Sequence, residues 1–185
     1  MRRTNLYIIG LLVVISSCTS VRYDTERYIK NNIEIHKTGE YSSIKIISLY
    51  NQTSMKDGSR LEMTGYKYNN QKGLVVSAYQ YYKDRKKFKD DNTVLSNTAF
   101  ILLDTVQCRT ILTNYNQLEA KLKTETPGSE EEIFMDFTVS EDLFFSMQKA
   151  KGGGVSNDVY LWIKGEKYTI ASDALLNNME DFLKW

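Results

Sequence analysis

Nucleophilic catalysis needs a nucleophile with a base beside it, and this sequence is short of both. His36 is the only histidine, and the two cysteines are Cys18 and Cys108. A Cys–His couple would have to join Cys108 to His36, which sits in a polar stretch that reads as a tether. Cys108 lies at the start of a helical pattern, where a helix dipole can lower a thiol pKa. A lone cysteine there more commonly fills a small apolar space, and that is the expectation. One histidine and one spare thiol do not make the N/S ligand set of zinc. Glu130-Glu131-Glu132 and Glu141-Asp142 supply oxygens but lack the spacing of a calcium loop, so they are expected to be solvated turns. Gly152-Gly153-Gly154 lacks the lysine and hydroxyl residue that end a phosphate loop, and no helix follows it. With 23 acidic residues some pair of carboxylates is inevitable, so spacing alone cannot identify a glycosidase pair. The expectation is no catalytic set, no metal site and no cofactor.

The densest charge lies in Lys83-Asp84-Arg85-Lys86-Lys87-Phe88-Lys89. Lys83, Arg85, Lys86, Lys87 and Lys89 follow Tyr79, Tyr81 and Tyr82, a combination able to hold an anionic polymer or a lipid headgroup. The plainer reading is a solvated hairpin tip balanced by Asp90 and Asp91. The chain as a whole is near neutral, at +1. Nothing in that balance draws it to nucleic acid, and no nucleic-acid partner is expected.

The N-terminus carries an address. Met1-Arg2-Arg3 is a short positive region, and Leu6 to Ile15 is an apolar run interrupted by Gly10. Small residues and a cysteine follow, as in a secretory leader. The run falls short of the ~20 apolar residues that a membrane-spanning helix needs. Ile15-Ser16-Ser17-Cys18 resembles the lipobox of bacterial lipoproteins. The resemblance covers only these first 18 residues. It implies cleavage before Cys18 and a diacylglycerol thioether on its sulfur, with further acylation such as palmitate giving stable anchoring. Loss of Arg2 and Arg3 with the leader would leave 22 basic against 23 acidic residues, or −1. Thr19, not Asp, follows the cysteine, which by the same resemblance favours the outer membrane. Ser20-Val21-Arg22-Tyr23 lacks the acidic cluster of a surface-export signal, which favours the periplasmic side. Cys108 would then have no disulfide partner in the chain, so an exported domain must rest on its core.

The elements behind that address are mostly strands. Thirteen tyrosines in 12% aromatic residues, with a single proline, suit pleated surfaces. Tyr28, Ile29 and Ile33 suggest a brief helical stripe within the tether. Strands are expected over 44–50, 60–68, 74–82 and 95–104, with turns at Asp57-Gly58 and Asn69 to Gly73. Leu74, Val76 and Ala78 face one way, and Val75, Ser77, Tyr79 and Tyr81 the other. The period then changes to 3.6. Ile111, Tyr115, Leu118 and Leu122 mark a helix of about four turns, and Pro127-Gly128 ends the connection. Ile133 to Val139 and Leu143 to Met147 alternate on either side of Ser140-Glu141-Asp142. Val159, Leu161 and Ile163 make a strand with Tyr160 and Trp162 on its other face. A turn is expected at Gly165-Glu166. Ser172 is expected to cap a last helix carrying Leu175, Leu176, Met179, Phe182 and Leu183.

The expected fold is α+β: a mainly antiparallel sheet of about eight strands with one central and one C-terminal helix. The order admits a duplicated ββββα unit, faintly echoed by Ile111-Leu112-Thr113-Asn114-Tyr115 and Leu175-Leu176-Asn177-Asn178-Met179. The expected organisation is a signal peptide over residues 1–17, a lipidated cysteine and tether over 18–40, and a single α+β domain over 41–185. The expected function is that of a non-enzymatic envelope lipoprotein binding a protein or polymer partner. The alternatives are an inhibitor or immunity-type lipoprotein that neutralises a toxin or hydrolase, and a carboxylate-dependent hydrolase.

Overall fold

The computed structural model describes residues 24–32, 43–53, 59–83, 93–128, 130–150 and 153–185. The chain divides into two compact units, Met1–Ser43 and Ile44–Trp185. In the first, a helix α1 occupies 24–32, where Tyr28 and Ile29 suggested one. Thr25 and Ile29, one turn apart, are buried, and Glu26 pairs with Lys30 across the next turn.

The second unit reads ββββα twice. Strands β1 (Ile44–Thr53), β2 (Arg60–Tyr68), β3 (Gln71–Lys83) and β4 (Thr93–Asp104) lead into α2 (Thr105–Thr124). Strands β5 (Ile133–Ser140), β6 (Leu143–Lys149), β7 (Val155–Ile163) and β8 (Glu166–Ala171) lead into α3 (Ser172–Lys184). Each set of four forms its own antiparallel meander in sequence order. The expected α+β class thus holds, with eight strands arranged as two sheets.

Period-two alternation turns Leu61 and Met63, Leu74, Val76 and Ala78, and Ile101 and Leu103 toward one core. Leu143, Phe145 and Met147 join it from the second sheet, with Val159, Leu161 and Ile163. Phe137 and Phe145 stack within it at 4.9 Å. Both helices contribute. α2 buries Cys108, Ile111, Tyr115 and Leu122 and touches β3 and β4 of one sheet and β5, β6 and β7 of the other. α3 buries Leu175, Met179 and Phe182 and touches β1, β7, β8 and α2. The helices are therefore what joins the two sheets around one core.

Local chemistry explains most boundaries, and in several places it shifts the expected ones. α2 begins earlier than its apolar stripe because Asp104 and Gln107 form a capping box: the Asp104 carboxylate accepts from Gln107 N–H at 2.7 Å and Gln107 Oε1 from Asp104 N–H at 2.9 Å. The turn expected over Asn69 to Gly73 is shorter, with Asn69 and Asn70 at its corner and Gly73 already inside β3. Asn69 takes the left-handed conformation, at φ 52°. At the β7–β8 corner the turn residues are Lys164 and Gly165, at φ 51° and 83°, rather than Gly165 and Glu166. Two successive left-handed residues match the twist of a tight hairpin. Ser172 does not cap α3. Ala171 holds the cap position with no side-chain bond, and the Ser172 hydroxyl instead donates to the Asn157 carbonyl at 2.8 Å. Asp57-Gly58 and Gly152 lie outside the described residues, and Gly153 closes a turn onto the Ala150 carbonyl at 3.1 Å.

Candidate binding face

The two sheets differ on the faces they turn away from the core. On the first sheet that face is buried at Glu62, Tyr66, Val75, Ser77 and Tyr79, while Leu102, opposite Val75, is 37% exposed. Leu74-Val75-Val76 is accordingly a continuous apolar run, as a strand covered on both faces requires. On the second sheet the outward residues are half-buried or exposed, Ser146 excepted, and they include a cluster of aromatic rings.

Register places those rings. Thr138 on β5 faces Phe144 on β6, Phe144 faces Trp162 on β7, and Trp162 faces Lys167 on β8. One row thus crosses the whole sheet. In the next row Asp136, Ser146, Tyr160 and Thr169 stand opposite one another. Phe134, 52% exposed, opens a third row opposite Gln148.

Phe144 and Trp162 stack with centroids 5.4 Å apart and planes 9° apart. Near-parallel planes at this centroid distance are an offset stack, in which each ring covers part of the other's face. The Lys167 ammonium lies 3.6 Å from the Tyr160 centroid and 5.9 Å from that of Trp162. The Tyr160 hydroxyl donates to Gln148 Oε1 at 3.1 Å. A stacked pair and a cation over a ring each stabilise by ~0.5–1.5 kcal/mol. The cluster is therefore held in place before anything binds to it.

Two other polar clusters are internal to the fold. Arg60 and Glu62 pair at 2.5 Å on the covered face of the first sheet. Burial raises the Glu62 carboxyl above its usual range, against the opposing pull of the Arg60 charge and of hydrogen bonds from Arg60 and Tyr79. Arg60 Nε also donates to Asn51 Oδ1 at 2.9 Å. At the β2–β3 hairpin, Lys72 donates to the Leu183 carbonyl at 3.0 Å and lies 4.7 Å from the Phe182 ring centroid. Lys67 donates to the Trp185 carbonyl and lies 4.5 Å from its ring centroid. Cations on the carbonyl end of α3 answer its dipole. Both clusters have partners for their polar atoms, and among the described residues no buried side-chain polar atom lacks one.

The residues singled out in the sequence fare unevenly. Cys18 and His36 lie outside the described residues, as do Arg85, Lys86, Lys87 and Lys89; Lys83 ends the β3 backbone and its side chain is not described. Cys108 is a free, buried thiol in the first turn of α2. Burial pushes its pKa up to about 12, with Asp104 adding to the rise and Lys72 opposing it, the reverse of an activated nucleophile. Glu131 accepts from Gly128 N–H at 2.9 Å, and Glu130, Glu132, Glu141 and Asp142 are exposed. Among the described residues no three His, Cys, Asp or Glu side chains gather as a metal site would need. No helix among them is long and apolar enough to cross a membrane. The aromatic row was visible in part, as Tyr160 and Trp162 on one strand face. Phe144 and Lys167 join them only through register.

No protein-family model and no curated protein matches this sequence.

Proposed function

We propose that this chain is a bacterial envelope lipoprotein, anchored by lipid on Cys18, that works by binding a protein or polymer partner rather than by catalysis. The observation that carries the binding part is the outer face of the second sheet. Phe144, Trp162, Tyr160 and Lys167 form a preorganised cluster beside the exposed Phe134. Clusters of ordered aromatic side chains left in solvent are typical of recognition surfaces, since their contact area comes with little further loss of side-chain freedom. The anchor rests on the leader and on Ile15-Ser16-Ser17-Cys18. Thr19 after the cysteine, and the lack of an acidic cluster over Ser20-Val21-Arg22-Tyr23, favour facing the periplasm from the outer membrane.

The anchor is tested by Cys18→Ser, which removes the sulfur that would carry the diacylglycerol. The expected result is loss of radioactive palmitate labelling and of cleavage before residue 18; a labelled Cys18→Ser protein overturns the reading. The binding part is tested by Trp162→Ala with Phe144→Ala. These substitutions should release the partner from detergent-solubilised envelope complexes while the fold still melts cooperatively. Unchanged complexes would remove the outer face from the proposal.

A further inference from the structure

We propose that the free edge of β5 accepts one extended strand of a partner protein, which joins the second sheet with a basic residue opposite Asp136. This deepens the binding role proposed above and rests on it. Two meanders of four strands leave four edges, β1, β4, β5 and β8. Edges are usually blunted by shortness, lysine, proline or a bulge, since their unpaired N–H and C=O groups otherwise template another strand. β8 is short and carries Glu166 and Lys167. β1 carries Lys45 and shifts register near its centre, between Ser48 and Tyr50. The side chains of β4 before Thr98 lie outside the described residues. β5 has none of these guards from Ile133 to Thr138; its bulge comes at the end, between Thr138 and Ser140, and its one charge is Asp136. It pairs with β6 on one side, and among the described residues no other backbone group bonds to it.

The side chains along this edge are open on both sides. Ile133, Met135, Phe137 and Val139 turn toward the core but are only half-buried, although α2 touches the strand, and Phe134, Asp136 and Thr138 are exposed. One strand further in, the same row is closed, with Leu143, Phe145 and Met147 buried. An added strand would cover the half-buried row with every second side chain while its backbone takes up the free N–H and C=O groups. The two requirements together select a peptide, because donors and acceptors alternating at the strand repeat are what another β-backbone supplies. Asp136 decides against a second copy of this chain. Two β5 edges related by a twofold keep each residue on its own face, and the fullest such register sets Asp136 against Asp136, where like charges repel. Moving the register by two either pairs 133–137 alone or runs into the bulge. A lysine or arginine on a foreign strand makes the same position attractive.

The test uses the full lipidated chain in detergent and a synthetic peptide that alternates threonine and valine around a central lysine, long enough to span β5. The expected result is saturable binding that slows exchange of alternate amides within 133–138, read by NMR. Methylating the peptide nitrogens at odd positions or at even positions should abolish binding in one set and spare it in the other, because only one edge of the peptide faces β5. A central glutamate should weaken binding roughly fivefold, and Asp136→Lys should reverse that preference; a thermal melt checks that this exposed substitution leaves the fold intact. No slowing within 133–138, or binding that the two methylated sets keep or lose alike, overturns strand addition. Indifference to the central charge in both the parent and Asp136→Lys overturns the basic residue. Slowing that appears without peptide and grows with protein concentration overturns the foreign strand in favour of a second copy. The binding role itself is read separately, from the envelope complexes of the protein with Trp162→Ala and Phe144→Ala. Complexes that respond to those substitutions while β5 stays unprotected exclude the edge alone.

Discussion

Replacing Phe182 by alanine tests how α3 is held. Phe182 is fully buried. Its ring lies under the Lys72 ammonium, 4.7 Å from the centroid, and so close to β2 that a methyl group added at Gly65 would lie 3.2 Å from it. Phe182→Ala removes the ring from a site walled by backbone and by the rest of the core, so collapse into the space is limited. Large-to-small changes of this kind cost ~3–5 kcal/mol, and the lost cation–ring contact adds about 0.5–1 kcal/mol. For a domain of this size each kcal/mol lowers the Tm by roughly 3 °C, so a fall of about 10–18 °C is expected. Leu176→Ala, at a half-buried position on the same helix, should cost less. The assay is thermal melting followed by circular dichroism, read with guanidinium unfolding to separate stability from a change in m. A Phe182→Ala protein that melts with the parent would refute the core role of α3, above all if it had also lost its partner. The apolar stripe would then be a docking element.

Three further outcomes follow from burial and charge. Cys108 should react with a bulky maleimide only in denaturant. Its thiol holds its proton in the native state up to about 12 against an ordinary value of 9.0; the unfolded thiol ionises first, so stability should fall as pH rises through that window, and less steeply in Cys108→Ala. Gly73 faces Tyr66 across the β2–β3 pair, and an added Cβ would meet its ring at 2.5 Å. Gly73→Ala should therefore cost ~1–3 kcal/mol, and less in a Tyr66→Leu background; equal losses in both backgrounds would exclude the clash. Arg60→Met leaves Glu62 buried without its cation. Burial already raises that carboxyl, and a raised acid is stabilising below its unfolded pKa and loses that contribution as pH rises. The Arg60→Met deficit, measured by urea melts, should therefore be larger at neutral pH than in the carboxylate range, and a deficit flat with pH would contradict it.

The parts of the fold that the sequence showed are those where one face is wet and the other dry. Ile133 to Val139 and Leu143 to Met147 alternate because only one side enters the core, and Ile111, Tyr115 and Leu122 repeat on one side of α2 for the same reason. Local rules fail where a distant residue decides. Ser172 looks like a cap, but its hydroxyl is taken by Asn157 on β7. Ser156-Asn157-Asp158 is too polar to announce a strand, yet it follows Val155 in the first part of β7, where Asn157 and Asp158 stay exposed. The burial of Val75, Ser77 and Tyr79 was hidden because alternation records which face a residue shares, not whether that face is covered. The aromatic row needed most. Tyr160 and Trp162 share a face by period alone, but setting Phe144 against Trp162 depends on pairing across the connection from β6 to β7, where the register shifts between Met147 and Lys149.

The two lysines that hold the carbonyls of Leu183 and Trp185 reach across 111 and 118 positions of chain. Contacts of that span are slow to find, because the loop they close must be ordered before they return anything. A chain threaded across a membrane N-terminus first would therefore emerge with the β2–β3 hairpin formed and its clients at Leu183 and Trp185 still missing. Until α3 arrives, the patch of β2 around Gly65 that Phe182 and Trp185 will cover stays open to water and to other chains. On the proposed export route the domain would complete its core only after translocation, and the interval before α3 docks is when an envelope chaperone would have something to hold.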